Sequence, residues 1–209
     1  MKILGQPSYL SQLRKLPRGG PREQLVPEEE FDAVYEAAKP RLKLALLLAR
    51  DAGLRRSAIT NLTARSVDFD HNEVFGVTKN QATYRVPMTT RLRSMLAALC
   101  AVAGSGQSLV DMLSTQHHHP IKPCTLLWEL KATQRRINGG EPFAWSLHDL
   151  RRTAARSLYD RTHDVRKVQR LLGHDGPMQT WWYIGRAGLP LDAADLEPKI
   201  KLVKTEEVA

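Results

Sequence analysis

Between Arg41 and Ala52 the chain is apolar on nearly every face of a helix, through Leu42, Leu44, Leu46, Leu47 and Leu48. A helix apolar all round has no side to turn to water, so other elements must enclose it. The segment therefore predicts a central buried helix and a predominantly helical domain around it. Gly53 follows, and a glycine can end the helix in the left-handed conformation. Arg55 then emerges directly from the core, where an arginine either braces a loop or points into a cleft.

Shorter signals surround this helix. At Pro27-Glu28-Glu29-Glu30 a proline in the first turn and acids near the positive end of the helix dipole mark a helix start, although Val26 is a poor cap. Ser57 to Leu62 reads as a short helix. The pattern then changes. Arg65 to Phe69, Glu73 to Val77 and Thr83 to Pro87 are rich in β-branched and aromatic residues, with turns supplied by Asp70-His71-Asn72 and Asn80-Gln81. A small three-stranded antiparallel sheet is the simplest arrangement. Helical patterns return at Thr90 to Val102, Cys124 to Ile137, Leu147 to Asp160, Asp164 to Leu172 and about Met178 to Arg186. The fold class is thus mainly α with a small sheet, an α+β domain over residues 26–190.

Outside that body, residues 1–25 form a basic arm carrying Arg14, Lys15, Arg18 and Arg22 around Pro17-Arg18-Gly19-Gly20-Pro21. Such a composition resists packing and suits either a flexible strap or an idle terminus. Residues 191–209 form a tail that mixes charge with Ile200, Leu202 and Val203 and could fray or dock on a neighbour. With 209 residues the chain is long enough for one well-cored domain. A net charge of +9 and a pI near 9.8 favour a polyanionic partner, nucleic acid ahead of a membrane surface. Cys100 and Cys124 lie far apart without CxxC spacing, which points to neither a disulfide framework nor a zinc site and fits a reducing cytoplasm. The amino terminus lacks the apolar stretch of a signal peptide, and the run around Ala45 to Ala49 is too short to span a bilayer. His117-His118-His119 reads as a polar linker, because adjacent histidines on an extended loop do not readily converge on one metal ion.

The chemistry concentrates near the carboxyl end. On a helix whose apolar stripe runs through Leu147, Leu150, Ala154 and Leu158, Arg151 and His148 fall beside the stripe, at the edge of the core. An arginine there needs an anionic partner, and a carboxylate such as Asp149 or Asp164 would serve as well as a phosphate oxygen. Gly173 ends the next helix, so His174 should project from a loop start, where a histidine is ordinarily a surface or cap residue. Tyr183, within Trp181-Trp182-Tyr183-Ile184, could equally belong to an aromatic packing cluster.

Taken together, Gly53-Leu54-Arg55, Lys79 in the turn before Arg85-Val86-Pro87, the pair His148 and Arg151 spaced by two, Leu172-Gly173-His174, and Tyr183 resemble the tyrosine recombinase (phage integrase) family in order and separation. The resemblance runs from about Val26 to Arg186. It implies a helical tyrosine-recombinase catalytic domain that cleaves and rejoins duplex DNA through a 3′-phosphotyrosine, in integration, excision or inversion. It also implies six catalytic residues. Arg55 and Arg151 would clamp the scissile phosphate, and Lys79 would protonate the leaving 5′ oxygen. His148 would assist proton transfer at the nucleophile, His174 would hydrogen-bond a phosphate oxygen, and Tyr183 would attack phosphorus. Neither metal nor cofactor is implied. The implied partners are double-stranded DNA, further copies of the chain in a tetrameric synapse, and accessory DNA-bending or directionality proteins, in the cytoplasm at the nucleoid.

The chain departs from the family in two places. Members commonly carry Asp or Glu three residues after the first arginine, where this chain has Ala58. Only the short arm precedes the catalytic body, in place of the family's amino-terminal DNA-clamping domain, so a compact recombinase and a catalytic fragment both fit. A catalytically weak DNA-binding regulator with the same fold is the alternative that Ala58 suggests, and a relaxing topoisomerase of related chemistry is another.

Overall fold

The computed structural model describes residues 25–77, 83–114, 120–174 and 176–184. The arm up to residue 24, Lys79, His117-His118-His119 and the tail all lie outside the described residues. Helices α1 (Glu28–Ala37), α2 (Pro40–Arg50) and α3 (Arg56–Thr60) lead into strands β1 (Val67–Asp68), β2 (Glu73–Val77) and β3 (Thr83–Pro87). Then follow α4 (Thr90–Cys100), α5 (Leu109–Met112), α6 (Pro123–Ile137), α7 (Leu147–Thr162), α8 (Val165–Leu172) and α9 (Pro177–Ile184).

The central helix is α2. Its residues Leu42, Leu44, Ala45, Leu46, Leu47, Leu48 and Ala49 are each at most 1% exposed. It is enclosed by α1, α3, α4, α5, α6 and α7, as its all-round apolar surface demands. After Asp51 the chain turns at Gly53, whose φ of +60° is the left-handed conformation an ordinary side chain resists. A Cβ there would also meet Leu171 Cγ at 3.3 Å, so the glycine lets the end of α2 approach the end of α8.

The sheet is antiparallel in the order β1-β2-β3, with Val74 opposite Val86 and Gly76 opposite Tyr84. Gly76 is required here because a Cβ would lie 2.6 Å from the Tyr84 hydroxyl. The first strand is shorter than its composition predicts. Residues Ala64–Ser66 form a 3-10 turn, with the Ser66 amide donating to the Thr63 carbonyl at 2.9 Å and the Thr63 and Ser66 hydroxyls 3.5 Å apart. Local side-chain bonding of Thr and Ser competes with the ladder, leaving only Val67–Asp68 to pair.

Helix α5 is an element the sequence pattern does not announce. The Ser108 hydroxyl accepts from the Asp111 amide, the Leu109 amide donates to the Leu62 carbonyl, and the Asp111 carboxylate accepts from the Ile121 amide. Four residues are too few to show a helical period. At the start of α1, Pro27 is the cap residue itself, and buried Val26 donates its amide to the Thr153 hydroxyl of α7. The remaining boundaries lie within a turn of those expected.

A second, smaller apolar cluster positions the carboxyl-terminal helices. Ala155 and Tyr159 of α7, Val168 and Leu172 of α8 and Ile184 of α9 are buried together, with Leu158, Trp181 and Tyr183 packed against them. Helix α9 therefore lies on α7 and α8 of its own chain.

Candidate active site

Helix α7 begins with a reciprocal cap. The Ser146 hydroxyl accepts from the His148 amide, while the Asp149 carboxylate accepts from the Ser146 amide at 2.9 Å and from its hydroxyl at 2.8 Å. This capping box fixes the first turn, and from that turn His148 and Arg151 extend. They do not share the edge of the core. His148 is exposed, whereas Arg151 is 3% exposed.

Neither carboxylate that the sequence offers to Arg151 reaches it. Asp149 is engaged in the cap of α7, and Asp164 caps α8 by accepting from the amides of Arg166 and Lys167. Arg151 instead donates through Nη1 to the Gly53 carbonyl and through Nη2 to the Leu172 carbonyl at 2.5 Å. Both carbonyls belong to chain turns at the ends of helices, where the backbone carries partial negative charge. Its Nε is buried without a partner among the described residues. Of the five N–H groups of a guanidinium, two are thus engaged by backbone carbonyls. Burial pushes the group down to about 10, the Tyr183 hydroxyl pulling it up and Arg55 pushing it down, so it stays charged at neutral pH. Arg151 is a buried cation with no carboxylate partner among the described residues.

Tyr183 comes to the same place from α9. Its hydroxyl oxygen lies 3.1 Å from His148 Nε2. The Arg151 and Arg152 guanidinium groups stand 5.7 and 5.9 Å from its ring centre. Solvent reaches His148, yet the protein packed around its ring desolvates it and, with Arg152 next in weight and Asp149 opposing, holds it below the usual imidazole range. A neutral His148 can accept a proton from the phenol.

His174 is not the surface residue its loop position suggests. The Gly173 amide donates to the Arg170 carbonyl and the His174 amide to the Gln169 carbonyl, with Gly173 at φ +56°. These two bonds make a Schellman turn, which folds the residue after the glycine back onto the helix. Gln169 Nε2 donates in turn to the His174 carbonyl at 3.0 Å. The ring is carried inward to 7% exposure, edge-on to Tyr183 with centres 5.0 Å apart. Burial first, then Arg151 and Arg55, push His174 down to about 4.

Arg55 caps α3 and is exposed. Together with Leu54 and Arg151 it lines two adjoining clefts of about 430 and 480 Å³. One runs towards Pro123, Leu127 and His148, the other towards Ala58, Val77 and Tyr84. Lys79 lies outside the described residues, but Val77, two positions before it, is in the wall of the second cleft. The structure thus brings Arg55, His148, Arg151, His174 and Tyr183 into one neighbourhood. Arg152 belongs there too, and the sequence reading missed it. It stands 5.9 Å from the Tyr183 ring centre and 3.9 Å from the Asp149 carboxylate, contacts that its place beside a second arginine in the sequence does not announce.

A site with a buried guanidinium that no described carboxylate meets, a phenol and two neutral imidazoles can bind a phosphate and deliver an oxygen nucleophile to it. A candidate integrase/recombinase of Haemophilus influenzae is 27% identical over 168 residues, covering 75% of this chain, and the chain spans about half (51%) of that relative. Among solved structures, XerA recombinase superposes with a TM-score of 0.65 at 19% identity, covering 86% of this chain and 64% of that one. The Tn1549 transposon integrase in complex with a circular intermediate DNA gives 0.69 at 14% identity, covering 87% and 67%. XerH recombinase bound to a palindromic difH substrate gives 0.59 at 18%, covering 77% and 49%. These likenesses establish a common fold, that of tyrosine recombinase catalytic domains. The phage integrase family description matches residues 24–187, most of the sequence, and the chain belongs to that family.

Proposed function

We propose that this chain is a site-specific DNA recombinase that cleaves and rejoins duplex DNA through a covalent 3′-phosphotyrosine on Tyr183. One observation carries the reading. Arg151 is buried beside the Tyr183 ring with carbonyl partners and no counter-charge among the described residues. An unpaired buried cation is costly, and a phosphate oxygen is the anion that would complete it.

The Tyr183 oxygen attacks phosphorus and its proton passes to His148 Nε2, the atom 3.1 Å away. A phenol with a pKa near 10 is a weak nucleophile at neutral pH, and a neighbouring base and cations strengthen it. Charge that develops on the nonbridging oxygens is met by Arg151, Arg55 and His174, donors in place before the reaction. The bond to the 5′ oxygen breaks, Lys79 supplies that oxygen's proton, and the 3′ phosphate remains on Tyr183. Attack by a 5′ hydroxyl reverses the step, with phosphodiester energy conserved in the tyrosine ester. The DNA held by the Tn1549 integrase and XerH structures supports duplex DNA as the substrate, with synapsis of several copies following from the need to exchange strands between two sites.

A second reading has its own observation. Ala58 lines the cleft beside Arg55 and offers no acid there, so a regulator that binds DNA and cuts it poorly would share this geometry. Incubation with nicked candidate sites flanking the gene, followed by denaturing electrophoresis, separates the two. A covalent protein–DNA band supports the recombinase, and tight binding without any band supports the regulator.

A further inference from the structure

Thr180 lies on α9 one turn before Tyr183 and on the same face. It is wholly buried, and its hydroxyl oxygen sits 3.2 Å from His174 Nδ1. A neutral imidazole carries a single ring proton, so the bond made at one nitrogen decides what the other can do. If Nδ1 donates to Thr180, Nε2 is a bare lone pair that repels a phosphate oxygen. If Nδ1 accepts from Thr180, Nε2 bears N–H and can donate to that oxygen without needing a charge.

The burial of the hydroxyl separates these cases. His174 is the hydrogen-bond partner of Thr180 among the described residues. Were the hydroxyl to accept from Nδ1–H, its own proton would be sealed in the interior with no acceptor, a state native structures avoid. Donation to Nδ1 leaves nothing unmet. The backbone of His174 is meanwhile pinned by Gln169 on both its amide and its carbonyl. Ring rotation is the freedom that remains, and Thr180 removes it.

We infer that Thr180 donates to His174 Nδ1, holds His174 as the Nε2–H tautomer, and is a positioning residue for the phosphate contact. The inference rests on the recombinase reading for the identity of the anion. Because Thr180 and Tyr183 share α9, seating that helix presents the nucleophile and sets the tautomer in one event. Neither part is then ready while the other is out of place.

The test is the ring-nitrogen NMR spectrum of His174 in the ¹⁵N-labelled full chain at neutral pH, without DNA, for the parent, Thr180→Val and Thr180→Ser. The parent should show protonated Nε2 and bare Nδ1. The valine variant, of equal shape without the hydroxyl, should lose that preference, and serine should keep it. Covalent trapping on nicked sites should fall about 10-fold or more for valine, as for loss of other ligand-orienting partners, and stay near parental for serine. A parent with protonated Nδ1 overturns the inference without recourse to any variant. So does an unchanged valine spectrum, or a serine variant that traps as poorly as valine. Absence of adduct from the parent itself counts instead against the phosphotyrosine reading, while the spectrum of the free protein still decides the tautomer.

Discussion

Arginines are used in two opposite ways in this molecule. Where α1, α2 and α4 meet, Arg50 and Arg91 are each closed by a carboxylate. Arg50 pairs with Glu28 and lies 4.0 Å over the Phe31 ring, and Arg91 forks onto Asp51 at 2.7 and 2.5 Å, with the Thr89 hydroxyl joining at 2.6 Å. Where α7, α8 and α9 meet, Arg151 is more deeply buried, and its partners are two backbone carbonyls and the Tyr183 hydroxyl, with no carboxylate among the described residues. A carboxylate cancels a cation and leaves a brace. Carbonyl dipoles support the side chain and leave its charge for an incoming anion. The same residue type thus builds a strut in one region and, on the proposed reading, a binding site in the other, and burial alone does not tell which.

The largest effect expected is at the residue that the second region surrounds. Tyr183→Phe should abolish the covalent adduct, since it removes the proposed nucleophilic oxygen and with it the hydroxyl's contacts to His148 and Arg151, while DNA affinity changes little. Denaturing gels and binding titrations measure the two separately. Adduct from the phenylalanine variant would reassign the nucleophile, and buried Tyr159 would then need testing.

An identical substitution in both regions breaks or sharpens the contrast directly. Arg151→Lys and Arg55→Lys keep a positive charge but lose the planar fork, so cleavage should fall by about 100-fold or more, the usual loss for one oxyanion donor. Arg91→Lys should leave cleavage unchanged and cost about 1 kcal/mol or less of stability, because that pair is half open to solvent. If all three behave alike, the distinction between strut and site is wrong. A bridging 5′ sulfur in the scissile phosphate adds a further division, because a thiolate leaves without a proton. It should restore cleavage to Lys79→Ala and not to Arg151→Ala.

How much of this the sequence discloses follows the same division. The buried α2 was legible because an unbroken run of leucines has few alternatives, and so was the small sheet with its turns. The order Arg55, His148, Arg151, His174, Tyr183 was legible as a pattern. What Arg151 touches was not, because Asp149 and Asp164 are near it in sequence and both turn out to be caps. Carbonyl partners from Gly53 and Leu172 leave no trace in side-chain identity. The burial of His174 was hidden for a related reason. A Schellman turn is written only as a glycine, which marks where the helix stops and not which way the next residue points. Thr180 did have a signal, three residues before Tyr183 on one helical face, but a threonine there reads equally well as core.

The two regions should also lose stability at different pH. His174 has an ordinary value of 6.5 and lies near 4 in the fold, so as pH falls the unfolded chain takes up the proton first. Its contribution is fully present above pH 6.5 and is lost between there and about 4, on the order of 3 kcal/mol in total. His148, also lowered, acts in the same direction. Glu28, lowered from 4.5 chiefly by its bond from Arg50, holds its contribution until the pH is below that value. Urea unfolding at pH 7 and pH 5 should therefore show a loss that His174→Gln largely removes. An equal loss in that variant would place the acid sensitivity elsewhere.

The smallest effect expected concerns the backbone beneath Arg151. Gly53 has φ +60°, and its carbonyl accepts from the Arg151 guanidinium. Gly106 is also left-handed, at φ +80°, but it is exposed and an added Cβ would meet nothing within 4 Å. Alanine at either position bears the left-handed penalty of about 1–2 kcal/mol. At Gly53 the new methyl must also displace Leu171 Cγ from 3.3 Å, moving the turn that aims the carbonyl. Gly53→Ala should thus cost more stability than Gly106→Ala, by a few tenths of a kcal/mol to about 1 kcal/mol, and it alone should slow cleavage. Gly53→Asn tolerates the backbone better but keeps the crowding. Asparagine should therefore recover part of the stability and little of the rate if the position of the carbonyl matters. Full recovery of both would mean that Gly53 serves only to turn the chain, and that Arg151 finds its place without help from the end of α2.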